Sequence, residues 1–231
     1  MIWLSLLELN PRSRAVRNDL RDCNGLHRTI MKLFPEVDPR SARNALGVLH
    51  RLEQGAAGKV RVLLQSLDRP DFACLPEGYL ETPPRSKTLD SIDVLLQPGS
   101  KLLFRLRANP TRAIDTKTRP DGTKSNGKRV ELRGEEACMG WLHRKAGQHG
   151  FRILACRMDA GAPDPRRVNG KVEGNKGGSP ITVASVLFDG ILEVVDAALF
   201  CEALQTGIGR AKSYGHGLLS LAPARQLDEP R

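Results

Sequence analysis

Residues 206–223 read TGIGRAKSYGHGLLSLAP, in which four glycines, Gly207, Gly209, Gly215 and Gly217, share eleven residues with Arg210 and Lys212. Without a Cβ the backbone N–H groups can come close to a ligand, and beside cations that arrangement suits phosphate. The phosphate is either a nucleotide's or that of a nucleic-acid backbone. A P-loop needs G-x-x-x-x-G-K-[ST] between a strand and a helix. Here Lys212-Ser213 is present, but Ala211 stands at the second glycine position. The surroundings are inverted too, because a helical pattern precedes the loop and a strand pattern follows it. A dinucleotide-binding fold fails on the same order. Nucleic acid is the better match, and the glycines would also form a tight helix-to-strand turn.

A second candidate lies near the start, in DCNGLHRTIMKLFP (22–35). At about 100° per residue, Leu26, Ile30, Leu33 and Phe34 gather on one side of a helix, with Arg28 and Lys32 opposite. His27 falls at the edge of the apolar stripe. An imidazole there can give or take a proton near neutral pH, and the two cations can hold a phosphate. The same pattern describes a histidine packed on a core beneath a solvated face, and the residues alone leave both readings open. Asp22 or Asn24 suits the N-cap.

Composition favours a polyanionic partner. The 231 residues carry a formal charge of +10, with 40% hydrophobic residues, enough for a buried core, and 4% aromatic, too few for serial base stacking. Residues 105–129 hold eight basic side chains against two acidic ones. Among them Arg105 and Arg107 alternate along a strand and so should share a face. The stretch 157–176 adds Arg157, Arg166, Arg167, Lys171 and Lys176. The five cysteines are scattered without a C-x-x-C pair, which argues against a disulfide framework and a structural zinc. The apolar run Ile2–Leu7 meets Glu8 and is too short for a signal core or a membrane span, so a cytoplasmic protein without a membrane partner is expected. Paired carboxylates and a Ser–His–Asp signature are not evident, and His50, His143, His149 and His216 have no evident partners in the sequence.

The elements that must carry these groups read as follows. IWLSLLELNP is a buried strand stopped at Asn10-Pro11, followed by a basic stretch, RSRAVRNDLRD. GKVRVLLQSLDRP (58–70) is a second strand, and the proline-rich residues 76–100 form a linker. KLLFRLRANPTR (101–112) then repeats the sequence of strand, Asn-Pro and arginine, which suggests one small α+β unit occurring twice. A helix over 134–150 has an acidic start and a basic end, and a strand over 151–159 follows it. Asp189-Gly190, between two apolar runs, predicts a hairpin turn. A helix through DAALFCEALQTG, the glycine-rich loop and a last strand over 218–223 complete a βαββαβ order.

The run G-x-G-x-A-K-x-x-G-x-G-L-L-S-L-A-P resembles the glycine-rich loop of the CRISPR-repeat-processing endoribonucleases. It is similar in particular to the CasE family, the RNA-cleaving subunit of the type I-E Cascade complex. LHRTIMKLFP, FRLRANPTR, the DGTKSNGKR stretch leading to a WLHRKAG helix, and VLFDGILEV occur in the same order as in that family. The resemblance spans nearly the whole chain, short of a tail at 224–231. It implies an α+β fold of two tandem ferredoxin-like (RRM-like, βαββαβ) domains, at 1–90 and 91–223.

The activity it implies is metal-independent cleavage of precursor crRNA at the base of the repeat hairpin, with no cofactor. The products would carry 5′-hydroxyl and 2′,3′-cyclic phosphate ends. The partners it implies are the repeat hairpin, the mature crRNA and the other Cascade subunits. His27 falls at the family's catalytic histidine, with Lys32 and Arg28 placed to stabilise the scissile phosphate. The glycines would mainly shape the domain beside the RNA. Arg105, Arg107, Arg112, Lys128, Arg129, Arg210 and Lys212, with the basic residues of 157–176, would meet an RNA stem through its phosphates. One departure stands out: the family has a tyrosine where this chain has Asn24. It keeps open an RNA-binding subunit that holds crRNA without cutting it. Tyr79 and Tyr214 are the candidate substitutes.

Overall fold

The computed structural model describes residues 1–21, 23–35, 45–55, 58–89, 96–114, 127–161, 167–168, 171–176 and 179–224. In the first half, β1 (Trp3–Leu9) lies between β3 (Val60–Ser66) and β4 (Arg85–Thr88), and β2 (Leu49–Gln54) flanks β3. All three pairings are antiparallel, with Leu7 opposite Val62 and His50 opposite Leu64. Two helices, α1 (Arg14–Arg21) and α2 (Cys23–Met31), follow β1. Val16, Leu26 and Ile30 from these helices close a core with Leu7, Leu9, Leu52 and Leu64 from the sheet.

Three features of this half differ from the sequence expectation. The basic stretch after Pro11 is helix α1, because Val16 is fully buried while Arg14, Arg17 and Arg21 face outward. The proline-rich linker contains β4, which pairs with β1 from Trp3 opposite Thr88 to Leu6 opposite Arg85. Asn24 lies inside α2 rather than at its cap, and Asp22 is outside the described residues.

The second half is built on β5 (Lys101–Ala108), α3 (Glu135–Gln148), β8 (Phe151–Asp159), β12 (Val186–Val194), α4 (Ala197–Thr206) and β13 (Leu219–Pro223). Its sheet runs β13-β5-β12-β8, all antiparallel, over a core of Phe104, Leu106, Trp141, Phe188 and Phe200. The first sheet, read from β4 as β4-β1-β3-β2, has the same order of fourth, first, third and second strand. The Asn-Pro echo therefore falls at the ends of corresponding strands, β1 and β5. Two smaller sheets are inserted. β6 (Thr111–Ile114) pairs with β7 (Lys128–Glu131), and β10 (Lys171–Lys176) pairs with β9 (Arg167–Val168) and β11 (Ser179–Val183).

Asp189-Gly190 is not a turn. β12 passes straight through it, and Asp189 lies opposite both Arg105 and Arg157. The glycine is needed for a different reason: a Cβ there would stand 2.0 Å from the Ala155 carbonyl oxygen of β8. The break between apolar runs comes earlier, between β11 and β12, which belong to different sheets. A local pattern cannot tell a hairpin turn from such a close crossing.

The halves are joined by buried polar contacts. From β2, the Arg51 guanidinium donates to the carbonyls of Leu218 (3.2 Å) and Arg105 (3.3 Å), and its Nε donates to Glu53 (2.9 Å). The Gln65 amide donates to the Leu204 carbonyl at the end of α4 (2.7 Å).

Candidate nucleic-acid interface and catalytic site

His27 stands half-buried on α2, with Arg28 and Lys32 exposed and Leu26 and Ile30 buried, as the periodicity requires. Its ring is stacked on that of His50 from β2, 6.4 Å between centroids with planes 12° apart. Tyr79 lies on the other side of the helix. Its hydroxyl donates to Asp19 (2.7 Å) and meets Thr29, which is about 200° around α2 from His27. Burial and the Asp19 carboxylate push this phenol far above the usual tyrosine range. It belongs to the core.

The glycine-rich loop reaches α2 from the second half. All four of its glycines have φ between +77° and +88°. At Gly207 a Cβ would meet the Leu49 side chain of β2 at 2.7 Å, so glycine lets the two halves close together. At Gly217 it would meet the Ile208 carbonyl at 2.8 Å, where the Gly217 N–H donates to the Arg107 carbonyl (2.7 Å). Between them, residues Lys212–Tyr214 make a 3-10 turn that packs against both α2 and β2. Tyr214 packs with Ala211 on Val183 at the end of β11, and β10 also lies against α2. Both tyrosines reach the His27 helix, Tyr79 from the core through Thr29 and Tyr214 on the turn that packs against α2.

On the outer side of this loop is a cleft of about 480 Å³, bounded by β6, β7, α3 and the loop. Six cationic side chains line it: Arg112, Arg129, Arg144, Lys145, Arg210 and Lys212, with His149 beside them. No carboxylate is among its lining residues. Burial and electrostatic crowding together shift two of these groups. Burial and the Arg144 and Arg129 guanidiniums push the Lys145 ammonium below its usual value. Burial, Lys145 and Lys212 hold the His149 imidazole below the usual histidine range. A phosphate chain entering here relieves like-charge repulsion as well as gaining its own contacts. Lys212 belongs both to the cleft and to the turn that packs against α2, so one short turn links the cleft to the helix that carries His27.

The structure gathers Arg112, Arg129, Arg210 and Lys212 from the sequence candidates into that cleft, while Lys128 and Arg157 are exposed outside its lining. Arg105 is turned to the junction of the halves, ion-paired with Asp189 (2.6 Å) and near Glu53 (3.8 Å). Arg107 does not share that face to solvent: it is 3% exposed and donates to Ser185 (3.3 Å). A buried guanidinium has no surface to offer a phosphate, so Arg107 is corrected to a core position. Arg167, Lys171 and Lys176 lie on β9 and β10, and Arg166 is outside the described residues. Sequence reasoning missed Arg144, Lys145 and His149, although a basic last turn on α3 was legible, and it missed His50. Among the described residues no group of three His, Cys, Asp or Glu is placed to hold a metal, and no helix is long and apolar enough to cross a membrane.

The family model described as CRISPR associated protein matches residues 2–223. The chain belongs to this family. CRISPR-associated endoribonuclease Cse3 of Thermus thermophilus is 36% identical over 229 residues, covering 96% of this chain and all of that protein. The CRISPR system Cascade subunit CasE of Escherichia coli is 36% identical over 206 residues, covering 88% of this chain and 93% of that one. Among solved structures, Thermus thermophilus Cse3 bound to an RNA representing a pre-cleavage complex superposes with a TM-score of 0.74 at 33% identity, over 96% of this chain and 99% of that one. As a CRISPR associated protein the chain is a mixed α/β molecule of antiparallel sheets that shares its fold with an RNA-bound relative.

Proposed function

We propose that this chain is a metal-independent endoribonuclease that binds the CRISPR repeat hairpin, cuts precursor crRNA, and stays with the product among the other subunits of a cytoplasmic Cascade complex. Its architecture is two ferredoxin-like units in tandem, residues 1–90 and 91–223, with 224–231 as a tail. The shared strand order of the two sheets supports that division. The observation that carries the functional reading is that the turn holding Lys212, one of the six cleft cations, packs against the helix bearing His27.

The chemistry follows from what such a site offers. The 2′-hydroxyl loses its proton and its oxygen attacks the adjacent phosphorus. The bond from phosphorus to the 5′-oxygen breaks, and that oxygen gains a proton. The ends are then a 2′,3′-cyclic phosphate and a 5′-hydroxyl. His27 carries one of these protons, because imidazole gives and takes protons near neutral pH. Lys32 and Arg28 face the added negative charge on phosphorus. The cleft fixes the stem so that attacking and leaving oxygens stay in line.

The test is end-labelled repeat hairpin incubated in excess EDTA with the wild type and with His27→Ala. Cutting by the wild type, lost in the variant while binding persists, is the expected result. Tight binding without cutting by either would support the carrier reading that Asn24 keeps open.

A further inference from the structure

The scheme above leaves the basic stretch after β1 unused. Arg12 precedes α1, and Arg14, Arg17 and Arg21 lie along it. At about 100° per residue the three helical arginines fall within about 60° of one another, on the face away from buried Val16. Asp19, the one carboxylate on this helix, lies on the other side and accepts the Tyr79 hydroxyl (2.7 Å). The Arg17 guanidinium donates to the Pro11 and Arg12 carbonyls, which ties the entering chain to the helix. Arg12, Arg14 and Arg21 are exposed, and among the described residues their guanidiniums form no ion pair. Local stability opposes such a row. Arg14 puts a cation in the first turn, where the helix dipole favours an anion, and Arg17 and Arg21 are like charges one turn apart. An anion from outside the chain would relieve both.

The row is placed by the way α1 meets α2. The two pack on the Gly25 side of α2, where a Cβ would stand 3.2 Å from the Asp19 Cα. His27 lies about 200° around α2 from Gly25, on the side where β2 brings the His50 ring. β2 also meets the Lys212–Tyr214 turn, which leads to the cleft. Exposed Arg28 falls about 60° from Gly25, on the arc between α1 and His27. The exposed path from His27 to α1 thus runs over Arg28. We propose that Arg12, Arg14 and Arg21 form a second RNA site, which holds the unpaired strand that continues past the cut from the stem. The inference rests on the reading of the cleft as the seat of the stem and of His27 as part of the cutting site. No aromatic side chain stands in the row to stack on a base, and phosphates are what a convex row of guanidiniums can take. The site is therefore indifferent to sequence.

The experiment is fluorescence anisotropy of labelled repeat hairpin in EDTA, between about 50 and about 200 mM salt. The riboses at the base of the stem are replaced by 2′-deoxyriboses, so that no 2′-hydroxyl is there to attack. Three RNAs are compared: the bare hairpin, and hairpins with about ten uridines added at the 5′ or at the 3′ end. The end at which the wild type cuts is mapped separately on the all-ribose RNA. A flank at that end is expected to steepen the slope of log affinity against log salt by about 2, from about 0.7 per single-strand phosphate and three arginines. A fourfold rise in salt then removes roughly 18-fold more affinity than it removes from the bare hairpin. Arg12→Gln/Arg14→Gln/Arg21→Gln is expected to lose this difference with an unchanged thermal midpoint. The control Arg85→Gln/Lys87→Gln/Lys101→Gln removes the same charge from exposed positions on β4 and β5. It is expected to keep the difference and to bind the bare hairpin as the α1 variant does. Equal slopes for flanked and bare hairpin in the wild type would overturn the inference, and are what a row serving an acidic protein surface would give. A difference that survives in the α1 variant, that the control also loses, or that belongs to the uncut end would overturn it too. A wild type that does not cut the all-ribose hairpin would instead refute the proposed function, and the strand assignment with it.

Discussion

Replacing Arg144 and Lys145 together by glutamine tests whether the cleft is where RNA phosphates sit. Six cationic side chains line it without an opposing carboxylate. Each phosphate neutralised on a duplex releases condensed counterions and contributes about −0.9 to the slope of log affinity against log salt, so six contribute about −5.4. Over a fourfold rise in salt, from about 50 to about 200 mM, that share of the binding falls roughly 1,800-fold. With two cations removed the share drops to about −3.6, and the same salt step costs roughly 150-fold. The assay is fluorescence anisotropy of the labelled repeat hairpin at four salt concentrations in that range. Arg105→Gln is the control, since Arg105 is already paired with Asp189 and lies outside the cleft lining. A slope unchanged by Arg144→Gln/Lys145→Gln would refute the placement of phosphates in the cleft. A slope lowered equally by Arg105→Gln would show that overall charge, and not the cleft, sets the affinity.

Arg51→Met removes the donor to the Arg105 and Leu218 carbonyls and leaves Glu53 with only the more distant Arg105 guanidinium, an expected loss of about 1–3 kcal/mol, read as a lower urea midpoint. A loss below about 1 kcal/mol would mean that the halves are held by other contacts. Gly190→Val forces β8 away from β12 at the Ala155 carbonyl and is expected to cost at least about 1–3 kcal/mol, measured by thermal or urea unfolding. His149 is held below the usual histidine range by burial and by Lys145 and Lys212, so it is neutral in the free protein near pH 7, and bound phosphate raises it. RNA affinity should therefore rise as pH falls from about 8 to about 6, and His149→Gln should flatten that rise. The free protein goes the opposite way: the unfolded chain binds the proton more readily, so His149's contribution to stability is lost as pH falls through the histidine range.

The sequence by itself determined the things that depend on neighbours along the chain. The stripe of Leu26, Ile30 and Leu33, with Arg28 and Lys32 opposite, came from helical periodicity, and its burial holds in the structure although α2 ends at Met31 and a turn carries Lys32 and Leu33. Apolar runs between breakers placed strands within 2–11, 58–70, 101–112 and 151–159, and the structure has them at 3–9, 60–66, 101–108 and 151–159. The Asn-Pro echo marked corresponding strands because the same strand exit is used twice. What the sequence could not determine were the outcomes set by which surfaces meet. Asp189-Gly190 carries the local chemistry of a hairpin turn, yet the close approach of the neighbouring strand β8 at Ala155 requires glycine within β12. Arg105 and Arg107 alternate as a strand demands, but one is paired at the junction of the halves and the other is buried against Ser185. His50 and His27 are 23 positions apart and no spacing rule links them. Their rings meet because β2 packs under α2, and the cleft cations meet because β6, β7 and α3 converge on one loop. Periodicity reports which face of an element is apolar, and only tertiary packing decides what that face is pressed against.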